Sequence, residues 1–209
     1  MDSGLVRLEL GQVNRRELGR ISEMLGKTFL DYPLGVYVYP DDAVREAQVG
    51  ALFTLMFRYA LRFGEVLVTS LDYEGMVLWL PPWAPHMKNR RILRSGVFRL
   101  ARASGVKSSL RLLHFSGKLE RIHHRQAPFP HWYGLGIGVR PDCRQKGLAK
   151  RMLLAKMGEA DRDGLPIYFE TQSEINVDIY RKFGFDVVEE FSIEGSGITS
   201  WTMMRRPKG

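Results

Sequence analysis

The stretch that decides the fold covers residues 139–153 and reads Val-Arg-Pro-Asp-Cys-Arg-Gln-Lys-Gly-Leu-Ala-Lys-Arg-Met-Leu. A β-rich run over residues 132–139 precedes the proline. After the basic, glycine-bearing turn, apolar residues recur at helical spacing, namely Leu148, Met152, Leu153, Ala155, Met157 and Ala160. The segment therefore predicts a strand, a turn and a helix, in that order.

The turn before this helix has the features of an anion site. The first helical turn exposes unpaired backbone N–H groups, from about Gln145 to Ala149, at the positive end of the helix dipole. Gly147 has no Cβ and lets a ligand approach the backbone closely. Four cationic side chains surround the same point: Arg144, Lys146, Lys150 and Arg151. A pyrophosphate suits this arrangement, although on these residues alone an ordinary turn with solvated charges remains open.

A second set of residues follows the helix. Gly164-Leu165-Pro166 ends the helix, since glycine and proline both stop helical structure. Residues 167–171 read as a short buried strand, and a short helix then stops at Gly184. Within that helix Asn176 and Tyr180 lie four residues apart, so that they project from one face.

Together, in this order, the motifs resemble those of the GNAT superfamily of acyl-CoA-dependent N-acetyltransferases. The pyrophosphate motif of that family is matched by Val139-x-Pro141 followed by Arg144-x-x-Gly147-x-Ala149. Its second signature is matched by Asn176-x-x-x-Tyr180 before Gly184-Phe185.

One branch of the family, which contains puromycin N-acetyltransferase, is more similar still. The similarity lies in residues 131–139 and 165–171, and more loosely in residues 29–33 and 76–79. The sequence departs from the pattern at two positions. Ala149 stands where many members carry glycine, and Gly136 stands in a strand where the branch usually has a larger residue. The looser N-terminal resemblance places four side chains along the acceptor cleft: Asp31, Tyr32, Tyr37 and Trp79.

The resemblance implies an α/β fold with a mixed, mostly antiparallel central sheet flanked by helices, in which splayed strands form the acyl-CoA cleft. It implies one acetyltransferase domain over residues 1–209, which also suits the length of the chain. The implied activity moves an acetyl group from acetyl-CoA to a primary amine, of a small molecule in preference to a protein, by direct attack in a ternary complex. No metal is implied.

The resemblance also assigns residues to the acyl-CoA. The assigned set is Ile137, Gly138, Val139, Arg144, Gln145, Lys146, Gly147, Leu148, Ala149, Lys150 and Asn176. Backbone groups of Ile137 and Val139 would pair with the pantetheine arm as an added strand does. The Val139 N–H would face the thioester carbonyl as an oxyanion donor. Asn176 would bond the same arm, or else cap its helix.

Two residues are expected to move protons. Tyr180 occupies the position where the family supplies the acid for the leaving coenzyme A thiolate; packing beside Phe183 and Phe185 is the structural alternative. Glu170, near the end of its strand, is expected to be the base for the amine, since a partly buried carboxylate can have a raised pKa. A structural carboxylate is the alternative there, and His131 is the second choice of base.

The net charge of +8 is concentrated in one part of the chain. Residues 84–127 carry eleven lysines and arginines against the single acid Glu120, which leaves +10. Helical periodicity there predicts a helical insertion of two basic amphipathic helices, broken near Ser104-Gly105. A solvated polar face is the simplest interpretation, and attraction of an anionic substrate or of the phosphates is second. Nucleic-acid binding is disfavoured, because few aromatic residues interrupt the charges.

All five histidines lie in or beside this region: His86, His114, His123, His124 and His131. No two have the i, i+4 separation of a helical metal site, and no cysteine pair accompanies them. The spacing therefore predicts solvated histidines and no metal.

The composition restricts the class of protein further. No apolar run approaches the ~18 residues that would span a bilayer, and residues 1–7 lack the layout of a signal peptide. Because Cys143 is the single cysteine, no intrachain disulfide can form, which favours a reducing cytoplasm. Cys143 is also a poor candidate for a nucleophile, because the family places no catalytic thiol in this turn. The resemblance, and not the composition, implies a homodimer, because dimers are common among similar proteins. The competing functions are a non-catalytic acyl-CoA sensor or interaction protein, and a protein-lysine or N-terminal acetyltransferase.

The remaining periodic segments complete the predicted fold. They are a strand over residues 6–10, a helix over 14–29 capped by Asn14, a helix from Asp41 or Asp42 to Phe63 stopped by Gly64, a hairpin of residues 65–71 and 75–80, and a second hairpin of residues 187–193 and 199–204.

Overall fold

The computed structural model describes residues 4–208. Met1 to Ser3 and Gly209 lie outside the described residues, so the prediction about residues 1–7 falls partly outside them. In the described part of the chain, no helix combines the length and the apolar character needed to cross a membrane.

Seven strands form one sheet in the order β1-β2-β3-β4-β5-β7-β6. Their bounds are β1 Val6–Arg7, β2 Glu65–Val68, β3 Gly75–Leu80, β4 Trp132–Val139, β5 Ile167–Thr171, β6 Asp186–Ile193 and β7 Ile198–Arg205. Only β4 and β5 run parallel, and the other neighbouring pairs are antiparallel. This architecture confirms the predicted mixed, mostly antiparallel sheet flanked by helices.

The helices are α1 Arg15–Thr28, α2 Pro33–Val38, α3 Asp42–Phe63, α4 Asn89–Ser95, α5 Val97–Gln126, α6 Leu148–Asp163 and α7 Glu174–Arg181. The predicted caps are confirmed where the local chemistry is strong. Asn14 Oδ1 accepts hydrogen bonds from the N–H groups of Arg16 and Glu17, and an Asp41 carboxylate oxygen accepts one from Ala43. Such caps satisfy donors that have no partner inside the helix.

Burial on both faces of β3 explains how the two helical layers are organised. Met76, Leu78 and Leu80 pack in the core formed with α1 and α3. Val77 and Trp79 pack in the core formed with α6 and α7. Because successive strand side chains point to opposite faces, one apolar strand supplies both cores.

Three segments differ from the sequence prediction. β1 ends at Arg7, and Leu10, which is 54% exposed, begins a 3₁₀ turn instead of extending the strand. β2 ends at Val68 and does not reach Leu71. The predicted break near Ser104-Gly105 is confirmed, and it is a kink at Gly105 (φ 70°, ψ 175°) inside α5. The boundary between the two helices of the basic region lies earlier, at Gly96, where α4 ends. The prediction also missed α2, which Pro33 opens at a favourable first position.

Lys156 lies on the predicted apolar face of α6 and is fully buried. Its Nζ donates to Glu65 Oε2 at 2.7 Å and to Glu159 Oε2 at 2.8 Å, and it lies 3.5 Å from the centroid of the Trp132 ring. Two carboxylates and an aromatic face therefore replace the hydration shell that burial removes.

We expect Lys156→Ala to reduce the free energy of unfolding by about 3–5 kcal/mol, because it leaves a cavity and removes the buried cation that two half-buried carboxylates share. Lys156→Met should cost less, since it fills the volume and Glu65 keeps Arg7 at 3.0 Å. Arg181→Ala is the control, as its pair with Asp178 is exposed and should contribute below about 1 kcal/mol. Urea denaturation measures all three, and a loss for Lys156→Ala no larger than that of the control would contradict the prediction.

Candidate active site

The sheet opens between β4 and β5. The two strands pair only through Trp132, Tyr133 and Gly134, which lie opposite residues 167–169. Beyond that point β4 follows β3 to Val139, while β5 follows β7. The register between β3 and β4 shifts at the same place and leaves Leu135 as an extra residue. A bulge bends its strand, and the predicted splay is therefore present and begins directly after Gly134.

A cleft of about 970 Å³ lies at this opening. It is bounded by the end of α1, the turn before α2, the end of β4, the turn before α6, and α7. Its lining residues are Lys27, Thr28, Phe29, Leu30, Asp31, Tyr32, Pro33, Ile137, Gly138, Val139, Pro141, Arg144, Ala149, Lys150, Leu153, Ser173, Ile175, Asn176, Ile179, Tyr180 and Phe183. The cleft thus contacts both sequence motifs.

The turn before α6 has a left-handed backbone at two positions, Gln145 (φ 65°) and Gly147 (φ 74°). A Cβ at position 147 would meet no atom of residues 4–208 within 4 Å. Packing among these residues therefore leaves the space beside Gly147 open, and the first N–H groups of α6 follow directly from Leu148. This geometry is suited to an anion at the helix N-terminus.

The four predicted cations do not all face the cleft. Arg144 and Lys150 line it, and Arg144 Nη2 also donates to the Thr28 carbonyl at 3.1 Å. Arg151 is held elsewhere, because its Nη2 donates to the Thr69 carbonyl at 3.2 Å. Three other assigned residues, Gln145, Lys146 and Gly147, are exposed at the turn, and Leu148 is half-buried. None of these four belongs to the described lining of the cleft.

The end of β4 presents backbone groups to the cleft. The Arg140 N–H bonds to the Glu74 carbonyl at 2.8 Å, on the β3 side. Because hydrogen-bonding direction alternates along a strand, the N–H groups of Val139 and Ile137 point to the opposite side. Gly138 between them packs tightly, as a Cβ there would lie 2.9 Å from Phe29 Cε2. The sequence analysis included Phe29 in the loose N-terminal resemblance but did not assign it to the cleft, because its contact with Gly138 joins distant parts of the chain.

A smaller cavity of about 130 Å³ continues the cleft toward the interior. The two spaces share Phe29, Tyr32, Ile137, Leu153, Asn176 and Tyr180. Glu170, from the part of β5 that no longer pairs with β4, lines the inner cavity. The structure therefore places both predicted proton-transfer residues, Glu170 and Tyr180, in the wall of this one inner cavity.

Glu170 has the electrostatics of a proton acceptor near neutral pH. Its Oε2 accepts a hydrogen bond from the Tyr133 hydroxyl at 2.7 Å, whereas its Oε1 is buried without a hydrogen-bond partner in the described part of the chain. Burial raises the pKa of Glu170 to about 7, although the Tyr133 hydrogen bond opposes that rise and the charge of Glu120 adds to it. The carboxylate is thus balanced between its two protonation states.

Tyr180 is buried between the inner cavity and the core formed with α6 and α7. Its ring contacts the Phe169 ring at 4.3 Å and lies 6.1 Å from the Phe185 ring. Burial raises the pKa of Tyr180 above that of an ordinary tyrosine, with a smaller contribution from Tyr32. The hydroxyl therefore stays protonated and can donate a hydrogen bond.

Asn176 does not cap its helix. α7 begins at Glu174, and Asn176 Nδ2 instead donates to Thr171 Oγ1 at 3.3 Å. The Tyr32 hydroxyl lies 3.1 Å from the same oxygen and accepts a hydrogen bond from the Gln172 N–H at 2.9 Å. The capping alternative is wrong, because Ser173 occupies the cap position.

Three of the four residues predicted for the acceptor cleft line a cavity. Trp79 lines the inner cavity, Asp31 lines the outer cleft, and Tyr32 lines both. Tyr37 packs under Arg111, whose guanidinium lies 5.5 Å from its ring centroid. His131 is fully buried and both of its ring nitrogens are engaged, with Phe129 and His123, which argues against His131 as a base.

The prediction that the histidines are solvated is wrong for most of them. His123 and His131 are buried and His86 is half-buried, with its ring stacked on that of His124 at 3.6 Å, whereas His114 and His124 are exposed. Burial lowers the pKa of His86 to about 4 and that of His123 to about 2, with further lowering by neighbouring histidines. Sequence distance concealed this cluster, because its members come from three separate segments.

Comparisons with known proteins give a consistent result. Residues 120–188 match the family model of the acetyltransferase (GNAT) domain. An uncharacterized N-acetyltransferase of Schizosaccharomyces pombe is 28% identical over 184 residues, which cover 83% of this chain and 72% of the relative.

Solved structures share the fold at lower identity. One is a structure from Corynebacterium glutamicum named "histone acetyltransferase HPA2 and related acetyltransferase". Its TM-score is 0.64 and its identity is 20%, and the match covers 98% of this chain and 97% of the other. Another is the polyamine N-acetyltransferase of Drosophila melanogaster, with a TM-score of 0.56, 15% identity, and coverage of 97% and 99%. The GNAT domain model therefore matches the part of the chain that carries β4, α6, β5 and α7, and the solved structures share the fold of the chain.

Proposed function

We propose that this chain transfers an acetyl group from acetyl-CoA to the primary amine of a small molecule, by direct attack of the amine on the thioester. The observation that carries the proposal is the pair of adjoining cavities between the diverging strands, which share six lining residues. Together they extend from the glycine-bearing turn before α6 to the partly unpartnered carboxylate of Glu170.

The outer cleft suits coenzyme A in shape and chemistry. The open turn at Gly147, with Arg144 and Lys150 beside it, offers N–H groups and positive charge to a pyrophosphate. The outward N–H groups of Ile137 and Val139 then offer a strand edge to an extended amide-containing arm. Asn176 lines the same side of the cleft. A volume of about 970 Å³ is within the range of a ligand site.

The inner cavity supplies groups for the acceptor and for the chemistry. Glu170 takes a proton from the ammonium form of the acceptor, directly or through water, and the free amine attacks the thioester carbonyl. The Val139 N–H stabilises the oxygen on which negative charge develops. When the carbon–sulfur bond breaks, the thiolate leaves with the electron pair and accepts a hydrogen bond from the Tyr180 hydroxyl.

The raised pKa of Tyr180 refines this last step. A thiol has an unperturbed pKa near 8.5, so complete proton transfer from a more weakly acidic phenol is uphill. Tyr180 therefore acts first as a hydrogen-bond donor to the developing thiolate. The proton lost by the amine restores neutrality afterwards.

The enclosed aromatic cavity favours a small amine over a protein side chain. Phe29, Tyr32 and Tyr133 contribute ring surface beside Glu170, in a space of about 130 Å³. Aromatic faces and a carboxylate suit an organic cation. The Drosophila structure, named for a polyamine N-acetyltransferase, and a second one, named for an agmatine N-acetyltransferase, have the same fold. Both names support a small amine.

The test is release of free thiol from acetyl-CoA by the full chain with a panel of amines. The panel contains polyamines, arylalkylamines, a lysine-containing peptide and an aminonucleoside, the last because the sequence resembles the puromycin N-acetyltransferase branch. We expect turnover with one class of small amine. Turnover with the peptide alone would favour a protein acetyltransferase, and acetyl-CoA binding without any turnover would favour a sensor.

Tyr180→Phe should lower the turnover number by about 10²-fold or more, while the affinity for acetyl-CoA changes little, because only a hydroxyl used at the leaving sulfur is lost. Tyr39→Phe is the matched control. Its hydroxyl is also buried and bonds Ser104 Oγ at 2.9 Å, but it lies outside both cavities. Steady-state kinetics with both variants give the result, and unchanged turnover in Tyr180→Phe would remove this residue from the mechanism.

A further inference from the structure

A compact histidine–carboxylate cluster lies outside the two cavities. His86 belongs to the segment after β3, Glu120 and His123 belong to α5, and His131 precedes β4. His86, Glu120 and His123 each offer one ligand atom, and these atoms lie within 4.8 Å of one another. We propose that these three residues bind one divalent transition-metal ion of the zinc class.

The ligand spacing agrees with a metal centre. Glu120 and His123 are three residues apart and share one face of α5, while His86 approaches from a different segment. His86 Nδ1 lies 3.1 Å from Glu120 Oε1. Ligand atoms at about 2.0–2.1 Å from a tetrahedral zinc ion are roughly 3.3 Å apart, so this pair already has the required separation. The sequence argument against a metal compared histidines with one another and did not consider Glu120 as their partner.

Hydrogen bonding selects the form in which His123 can act as a ligand. His131 Nδ1 lies 2.7 Å from the Phe129 carbonyl, which only accepts, so this nitrogen carries the proton. The Nε2 of a neutral His131 is then an acceptor. His123 Nε2, 2.8 Å away, is therefore the donor, and the lone pair of His123 is on Nδ1. A histidine ligand whose other nitrogen donates to a fixed partner is the usual arrangement at metal centres.

His86 contributes an atom that the fold otherwise leaves unused. Its Nδ1 is buried and makes no hydrogen bond in the described part of the chain, despite its short distance to Glu120, because the angle is unsuitable. In the tautomer with the proton on Nε2, the Nδ1 lone pair faces the Glu120 carboxylate, and the two atoms can share a cation. A bound ion would satisfy both.

The donor set indicates the class of ion. Two imidazoles and one carboxylate suit zinc and its neighbours, whereas magnesium and calcium prefer oxygen alone. Glu120 is the single acid of residues 84–127, and it lies among the histidines of this strongly basic region. Its charge lowers the cost of placing a cation there.

The cluster suits a structural centre. His123 stacks on Tyr168 at 4.6 Å and lies 4.4 Å from the Tyr133 ring, but His86, Glu120 and His123 line neither cavity. An ion would join α5 to the segment after β3. It would lie on the far side of Tyr133, which lines the inner cavity. The expected effect of the metal is therefore on stability and on the order of α5.

The experiment uses the untagged full chain, stripped by a chelator, dialysed, and titrated with zinc chloride alone. Calorimetry and elemental analysis should give one ion per chain, and saturating zinc should raise the melting temperature. Glu120→Gln and His86→Asn should each weaken zinc binding at least about tenfold. Both side chains are partly exposed, so the folds of the variants should survive, which circular dichroism checks.

His114→Asn is the matched control, because His114 is an exposed histidine of the same helix. It should bind zinc like the wild type. The proposal is overturned if the stripped protein takes up no stoichiometric zinc, if the two ligand variants bind as well as the control, or if excess magnesium displaces the ion.

Discussion

Glu170→Gln is expected to lower the turnover number by about 10²- to 10⁴-fold, the usual contribution of a general base. Acetyl-CoA affinity should change little, since Glu170 lines the inner cavity and is absent from the described lining of the outer cleft. In the wild type, kcat/KM should rise with pH through about 7, as the carboxylate loses its proton. The glutamine variant should lack that rise.

The same substitution should stabilise the protein at higher pH. Folding raises the pKa of Glu170 from 4.5 to about 7, so the unfolded chain loses this proton more easily than the folded chain. The stability that the protonated group contributes is therefore lost as the pH rises from about 4.5 through about 7. Glutamine cannot ionise, and its advantage in melting temperature should be largest above pH 7.

Glu189→Gln gives the opposite sign and serves as the control. Hydrogen bonds from Arg125 and Gln126 and the charge of Arg125 lower the pKa of Glu189. Its loss should destabilise the protein near neutral pH and leave turnover unchanged, because Glu189 lies outside both cavities. If Glu170→Gln also destabilises the protein at every pH and retains turnover, Glu170 is a structural carboxylate and the proposed base is wrong.

Gly147→Leu is expected to weaken acetyl-CoA binding by about 10²-fold. A side chain at this position would occupy the open space where a phosphate approaches the N–H groups of the turn. Hydrogen bonds to charged groups contribute about 1.5–3 kcal/mol each, and a loss of about 3 kcal/mol corresponds to about 10²-fold in the dissociation constant. Isothermal titration calorimetry measures the change directly.

Gly164→Leu separates backbone strain from lost binding. Gly164 ends the same helix and has a similar left-handed backbone (φ 65°), and a Cβ at this position would also meet no atom within 4 Å. Both substitutions should cost about 1–2 kcal/mol in stability, but only the one at position 147 should affect acetyl-CoA. An acetylated pantetheine without the pyrophosphate should bind both variants alike. Equal acetyl-CoA affinity in both variants would refute the phosphate site at Gly147.

Local patterns accounted for much of the fold and of the outer cleft. The turn before α6, the ends of that helix and the limits of β5 depend on neighbouring residues, such as Gly147 and Gly164, whose conformational preferences act over a few positions. The caps at Asn14 and Asp41 are equally local. These features could be predicted because the chemistry that determines them lies within one turn of the chain.

Features that depend on distant contacts could not be predicted in the same way. Lys156 of α6 reads as a solvated charge until Glu65, the first residue of β2, is placed beside it. The hydrogen bond between Tyr133 and Glu170 joins residues 37 positions apart. Neither pairing leaves a periodic signal in the sequence, because each depends on how the strands and helices are arranged in space.

The extra residue in β4 has a consequence for which amides the cleft receives. Strand positions alternate in parity, and Leu135 shifts the parity of every position after it. In a chain without Leu135, the N–H groups of Ile137 and Val139 would point toward β3. The N–H groups of the neighbouring residues would face the cleft instead. The number of residues before the turn, as much as their identity, thus selects the donors that a thioester would meet.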